Sequence, residues 1–258
     1  MMREFTEIAP GVLVFTSAKY VTTSTLVLRD DKVVIIDPAW TEADLDGLLQ
    51  FLRSTGRRIS TGLSTHNHYD HVLWHPEFGD APRWGSRLTY EIANASRDEI
   101  LRHMAGDIPD HWPHPVEGLQ PLDASFVPDP FGDGAPEPIE FVLHDAHTPG
   151  HTAIWFPERG VVTVGDMLSD VELPMPFFPP DLDAYLDGLD RLVDVVAKAD
   201  VLVPGHGTPT RDGMARLDAD RRYLDDVLNG RAPDDERMHL PEQDDVHAKI
   251  VELAAQRV

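Results

Sequence analysis

The segment "STHNHYDHVLW" (64–74) sets His66, His68, Asp70 and His71 within six positions. Imidazole and carboxylate groups at that density are donors for a divalent cation. In an extended chain alternate side chains share a face, so His66 and His68 can grip one cation. If the chain then turns into a helix, Asp70 and His71 point to a neighbouring position. Two cations about 3.5–4 Å apart would fit such a pair of sites. Two ligands each is too few, because zinc takes four or more, with an open position for water in catalytic sites. Cysteine is absent from the chain, which excludes disulfides, thiolate zinc sites and cysteine nucleophiles. The missing ligands must therefore be histidine or carboxylate.

Three candidates stand where a strand gives way to a loop beside glycine: His151 in "HTPGHT", Asp166 after "VVTVG" and His206 in "PGHG". The count closes with His66, His68 and His151 on one cation and Asp70, His71 and His206 on the other. Asp166, with two oxygens, stands between. His147, close to the third motif, is read as a residue that orients a ligand from behind. His75, His103, His111, His114, His144, His239 and His247 are expected to be ordinary surface or hydrogen-bonded histidines.

The elements that must position these groups alternate between β and α. "VLVFTS", "STLVLRD" and "KVVIIDP" read as strands, the last two joined by an Asp30–Asp31 hairpin turn. A helix follows, capped by Thr41 with Asp44 three residues on, with Leu45, Leu48, Leu49 and Leu52 on one face and Gly56 as its stop. "RISTGLST" (58–65) is a strand running into the histidine cluster. Residues 86–105 are weakly helical. Residues 107–138, rich in Pro and Gly, read as a long lid loop in which Trp112, Phe126 and Phe131 could form a hydrophobic flap. "IEFVLHDA", "AIWFPE", "VVTVGD" and "DVLVPGHG" are further strands. Residues 181–199 form a strongly amphipathic helix, and helices are expected within 211–258. No repeat or linker divides the chain, so residues 1–258 are expected to form a single domain.

The chain has 258 residues, 41% hydrophobic, and a formal charge of −23. Nucleic-acid affinity comes largely from Lys and Arg displacing counterions, so neither nucleic acid nor an anionic membrane is an expected partner. No apolar run reaches the roughly 18 residues of a membrane span. The start, "MMREFTEIAPGVLVF", lacks the basic and apolar regions of a secretory leader, and the expected compartment is the cytoplasm.

The ordered set resembles the metallo-β-lactamase superfamily, which carries H-x-H-x-D-H, a later His in a TPGHT-like turn, an Asp after a strand and a final His. The resemblance runs from about residue 12 to residue 210. It implies an α/β fold, a four-layer αββα sandwich of two mixed sheets flanked by helices, with metals at one edge. It implies two zinc ions, with iron or manganese as alternatives, and a metal-bridging hydroxide as nucleophile. Asp70 would also accept or relay a proton, and Asp37 in "IIDP" would support the metal loop from behind. One departure is visible: where the family often has a glycine pair after the motif, Leu73 and Trp74 follow Val72 here.

The expected reaction is hydrolysis of an ester-like bond (lactone, thioester or carboxylic ester) in a small molecule. Apolar pocket walls are assigned to Trp74, Trp112, Phe177 and Phe178. Lactonases of the family carry a Tyr three residues after the bridging Asp; here that residue is Ser169, leaving Tyr185 or Tyr20 as substitutes. The alternatives are a phosphodiesterase, a β-lactamase-like hydrolase, an iron-dependent dioxygenase on the same scaffold and a non-catalytic metal-binding protein. The sequence leaves the oligomeric state open.

Overall fold

The computed structural model describes residues 5–38, 40–122, 129–135 and 137–257. Seven strands lie side by side in chain order: β1 (Phe5–Ala9), β2 (Val12–Thr16), β3 (Thr23–Arg29), β4 (Lys32–Ile36), β5 (Arg58–Leu63), β6 (Arg83–Ser86) and β7 (Leu119–Leu122). The first four pair antiparallel and the last four parallel. A second sheet has the order β11-β10-β9-β8, built from β8 (Glu140–His144), β9 (His151–Phe156), β10 (Val161–Thr163) and β11 (Val201–Val203). Both sheets are therefore mixed.

The strand run "KVVII" is apolar without a break because both faces of its sheet are covered. Val34 and Ile36 point inward with Val12, Val14 and Val27, against Ile154, Phe156 and Val203 of the second sheet. Val33 and Ile35 point outward onto α1 (Glu42–Thr55), through Leu45, Leu48, Leu49 and Leu52. On the far side Ala153, Trp155 and Val162 meet α5 (Leu182–Lys198), and α6 (Gly213–Leu228) and α7 (Gln243–Ala255) complete that layer. Four layers result: helices, sheet, sheet, helices. The α1 ends form as their residues dictate, with a Thr41–Asp44 capping box and Gly56 in the left-handed region at φ +65°. α2 (Tyr69–Val72) is a single turn, and α3 (Arg87–Ala95) and α4 (Arg97–His103) cover the first sheet near β6 and β7.

The segment 107–138 is not all loop. It supplies β7, and Arg83 donates to the carbonyls of Pro115 (2.7 Å) and Glu117 (2.9 Å). Phe131 is buried between the sheets, and Trp112 packs edge-on against His75, so neither belongs to a flap. Phe126 lies outside the described residues. Among the described residues no helix is long and apolar enough to cross a membrane.

Candidate metal centre

The chemistry-bearing side chains collect where strands of both sheets end. β4 stops at Ile36, and Asp37 takes a left-handed backbone at φ +51°, a conformation that costs energy for a residue with a Cβ. It turns the carboxylate back onto the next loop. Thr65 donates to it twice, from its backbone N (2.8 Å) and its hydroxyl (2.7 Å). The same carboxylate lies 3.0 Å from His71 Nδ1. Asp37 thus contacts the histidine loop from behind, at Thr65 and His71.

Because the Thr65 hydroxyl proton goes to Asp37, that oxygen is free to accept from His66 Nδ1, 3.0 Å away. The His66 proton is thereby placed on Nδ1, and Nε2 is left as a bare donor facing the site. His206 is fixed in the same way. Its Nδ1 donates to the Tyr20 carbonyl (2.9 Å) while Nε2 stands 3.2 Å from Asp70 Oδ2. His147 donates from Nδ1 to the Met175 carbonyl (3.1 Å) and turns Nε2 inward.

Two groups of donor atoms result, each with all its atoms within 4.8 Å of one another: His66, His68, His147 and Asp166; and Asp70, His71 and His206. Asp166 faces both. Its Oδ2 lies 3.4 Å from His66 Nε2 and 3.3 Å from His147 Nε2, and its Oδ1 lies 3.1 Å from His71 Nε2 and 3.5 Å from His206 Nε2. Gly205 makes room for this. A Cβ there would lie 2.9 Å from His71 Cε1 and would collide with the Asp166 carboxylate.

His151 joins neither group, and His147 stands in its place. His151 is the first residue of β9, paired in register with His144. Its Nδ1 faces His144 Nε2 at 3.3 Å, and its Nε2 accepts from the Asp166 backbone N at 3.3 Å. Its contacts in this structure are therefore with the Asp166 loop and His144. The first histidine of "HTPGHT" lies in the loop between β8 and β9, and the second is already strand. We expect His147→Ala to lower metal content per chain toward one cation. His151→Gln should keep both sites and weaken binding by about 10–100-fold. Zinc titration of the apo-protein separates the two, and the reverse ranking would restore His151 as the ligand.

Buried side-chain atoms with no hydrogen-bond partner include His66 Nε2, His71 Nε2 and Asp166 Oδ1. Buried polar atoms left unpaired are costly, and these three, His66 Nε2 in one group, His71 Nε2 in the other and Asp166 Oδ1 between, fit sites that take cations. The electrostatics agree. Burial takes His66 down to about 4, with the nearby His71 adding to the effect, so its lone pair is available at neutral pH. Burial would also lower His71, but the Asp166, Asp70 and Asp37 carboxylates hold it well above its ordinary value. Burial is likewise outweighed at His206, chiefly by Asp166. A cation entering that second group must displace these protons.

A family model for the metallo-β-lactamase superfamily matches residues 19–206, nearly three-quarters of the chain. The chain belongs to that superfamily. Its fold is similar to that of a β-lactamase domain protein from Burkholderia ambifaria, with a TM-score of 0.64, 19% identity, and 88% of this chain and 76% of that one covered. It is similar to a metallo-β-lactamase from Pontibacter korlensis, with a TM-score of 0.60, 20% identity and coverage of 84% and 99%. The metallo-β-lactamase FIM-1 from Pseudomonas aeruginosa, described in a mono-zinc form, superposes with a TM-score of 0.58, 15% identity and coverage of 100% and 96%.

The superfamily's donor groups here open into a cavity of about 560 Å³. Of the four aromatic residues expected to wall it, only Phe178 does, in edge contact with His68 at 4.7 Å. Trp74 lies against Gly62, under the Arg83 guanidinium at 4.5 Å. Trp112 is spent on His75, and Phe177 packs on the core of the second sheet. The residues that do line the cavity include Tyr20, Trp40 and Tyr69. Tyr20 stacks on Trp40 at 4.9 Å, and Tyr69 meets Trp40 edge-on at 5.1 Å. The backbone at Tyr20 and Val21 is left-handed (φ +51° and +55°), which is strained for a β-branched valine. Nothing in "AKYVTTS" announces that turn. Of the proposed tyrosine substitutes, Tyr185 is buried on α5 and Tyr20 faces the cavity. Ser169 is structural, donating to the His206 carbonyl at 2.7 Å. Of the histidines expected to be ordinary, His144 is buried and hydrogen-bonded to His151, whereas His103 lines the cavity.

Proposed function

We propose that this protein is a metal-dependent hydrolase acting on a lactone, thioester or carboxylic ester of a small molecule. The reading rests above all on Asp166, whose two oxygens each face one of two imidazole-rich groups at the floor of an open cavity. His66, His68 and His147 would hold one cation, Asp70, His71 and His206 the other, and Asp166 both. Nitrogen and carboxylate donors suit zinc, with iron or manganese as alternatives. Divalent ions held by these residues would supply Lewis acidity, lowering the pKa of water toward about 7 and polarising a carbonyl.

The chain's own groups then do the rest. Asp70 lines the cavity, with Oδ2 lying 3.2 Å from both His71 Nε2 and His206 Nε2. It can take a proton from the attacking water and return it to the leaving oxygen or sulfur. Asp37, Thr65 and the Tyr20 carbonyl hold the imidazoles in the tautomers that aim bare nitrogens inward. None of the described residues lining the cavity is Lys or Arg, which argues against a polyanionic substrate such as nucleic acid.

The test is a substrate panel on apo-protein reconstituted separately with zinc, manganese and ferrous iron. Lactones, thioesters, aryl esters, β-lactams and phosphodiesters are compared, and bound metal is counted by elemental analysis. We expect zinc-loaded protein with two ions per chain to turn over carboxylic esters, lactones or thioesters at least about tenfold faster than bis-aryl phosphates. A preference for phosphodiesters, or no turnover of any carbonyl substrate, would defeat the reading.

A further inference from the structure

The cavity walls carry a charge pattern that the metal centre does not use. Glu172 follows the Asp166 loop, and its Oε1 comes within 4.0 Å of His206 Nδ1. That histidine nitrogen is already committed to the Tyr20 carbonyl. The other oxygen of Glu172, Oε2, is shut off from solvent and has no hydrogen-bond partner. A carboxylate oxygen in that state is missing a donor. Glu99 on α4 and Glu242 at the start of α7 line the same cavity. Glu99 has only a distant contact, 3.7 Å, with His103.

No described lining residue offers Lys or Arg to these three acids. Arg237 reaches only the main-chain carbonyl of Glu172 there and is bound to Asp220 and Asp235, and Lys19, beside Trp40, is bound to Asp107 at 2.5 Å. Its ammonium nevertheless lies 4.7 Å over the Trp40 ring, so this aromatic wall already holds one alkylammonium by its π-face. Two further rings line the cavity and are partly open to solvent: Tyr20 is 50% exposed and Phe178 48%. Aromatic faces flanked by carboxylates, with no basic side chain among them, attract an organic cation. The same walls repel carboxylate-, phosphate- or glutathione-bearing molecules.

We propose that the cavity selects ester-type substrates carrying an ammonium group, held by Glu172, Glu99 and Glu242 and by the rings of Tyr20 and Phe178. The inference rests on the hydrolase reading for the bond that is cut, and on the walls alone for the group that is bound. Hydrolysis adds water across the ester bond and releases a carboxylic acid and an alcohol or thiol, with the cationic group unchanged.

Binding can be measured without turnover. Choline is compared with its neutral isostere, in which carbon replaces nitrogen, on zinc-loaded protein. Each probe has a sharp methyl singlet whose broadening in proton NMR reports its dissociation constant. We expect choline to bind at least about tenfold more tightly than the isostere. The ratio should fall toward one in Glu172→Gln and fall partway in Glu99→Gln, with zinc content unchanged in both. If Glu172→Gln does not fold, Glu99→Gln and Glu242→Gln, both at helix positions facing solvent on one side, decide the matter. Equal binding of the two probes, or a ratio untouched by all of these variants, overturns the proposal. It would do so even if the substrate panel had established ester hydrolysis. Selective choline binding by a protein that cleaves no ester would instead keep this inference and remove the hydrolase reading.

Discussion

Asp166→Ala is expected to keep its circular-dichroism spectrum, to bind fewer than two zinc ions per chain and to lose turnover by at least about 10³-fold, or ~4 kcal/mol of transition-state stabilisation. The size follows from the position. Asp166 stands between His66 and His147 on one side and His71 and His206 on the other, at 3.1 to 3.5 Å. Burial by itself would raise the pKa of such a carboxyl. The His71, His206 and His66 imidazoles instead hold it well below the usual carboxylate range, so it is an anion at any pH of interest. Alanine removes a donor from both groups at once and takes away the charge that offsets two divalent ions. No neighbour can move in, because Gly205 supplies no side chain and the His151 ring already fills the space beside Gly165, where a Cβ would meet Nε2 at 2.5 Å. Unimpaired turnover with two bound zinc ions would refute the shared role of this residue.

Arg237→Ala should be the most destabilising change outside the centre, costing about 3–5 kcal/mol, as expected when one member of a buried ion pair is removed. The Arg237 side chain is 7% exposed and its partner Asp220 1%. The guanidinium donates to Asp220 at 2.6 Å, to Asp235 from two nitrogens, and to the carbonyls of Ser169 and Glu172 at 3.0 Å each. Burial raises the Asp220 pKa even beside this arginine, the mark of a pair whose desolvation is only just offset. Truncating the arginine strands a buried carboxylate and frees the loop that carries Ser169 and Glu172. Urea unfolding at constant zinc should show the loss as a lower midpoint with an unchanged slope. The double variant Arg237→Met, Asp220→Leu should recover most of it, because an apolar pair leaves no charge stranded. A loss below about 1 kcal/mol in the single variant would mean that water reaches the pair and the bridge matters little.

What could be read from the chain depended on whether a residue's partner was near in sequence. His66, His68, Asp70 and His71 advertise themselves because one extended stretch and one helical turn put them together. Asp166 and His206 were legible through a shared habit, a polar residue just past a run of β-formers, and Asp37 through the family resemblance. The choice between His147 and His151 was not, because it turns on where β9 begins, and both residues sit beside glycine or proline. Three strands also escaped notice. β1 lies at a sheet edge with polar residues exposed, β6 has four residues, and β7 contains Pro121, which an edge strand tolerates. Arg237 lies in "DDERMHLPEQDD", which reads as solvated linker. Its burial is decided by Asp220 and the Ser169 loop, which only the tertiary structure brings near. The cavity aromatics went wrong for the same reason. Trp74 follows the histidines directly, yet it packs on the first sheet, as Trp112 does against His75, whereas Tyr20 and Trp40, from the β2–β3 and β4–α1 connections, line the cavity.

The donor atoms are drawn from two sheets whose shared core is built mostly of interdigitated valines, isoleucines and phenylalanines. His66 to His71 follow β5 of one, and His147, Asp166 and His206 follow β8, β10 and β11 of the other. The alignment of this cage is therefore governed by how one sheet rests on its neighbour. A methyl group added or lost deep between them, as at Val34 or Ile154, would tilt one half of the cage against the other. Such a change can spoil the coordination geometry without coming near a histidine.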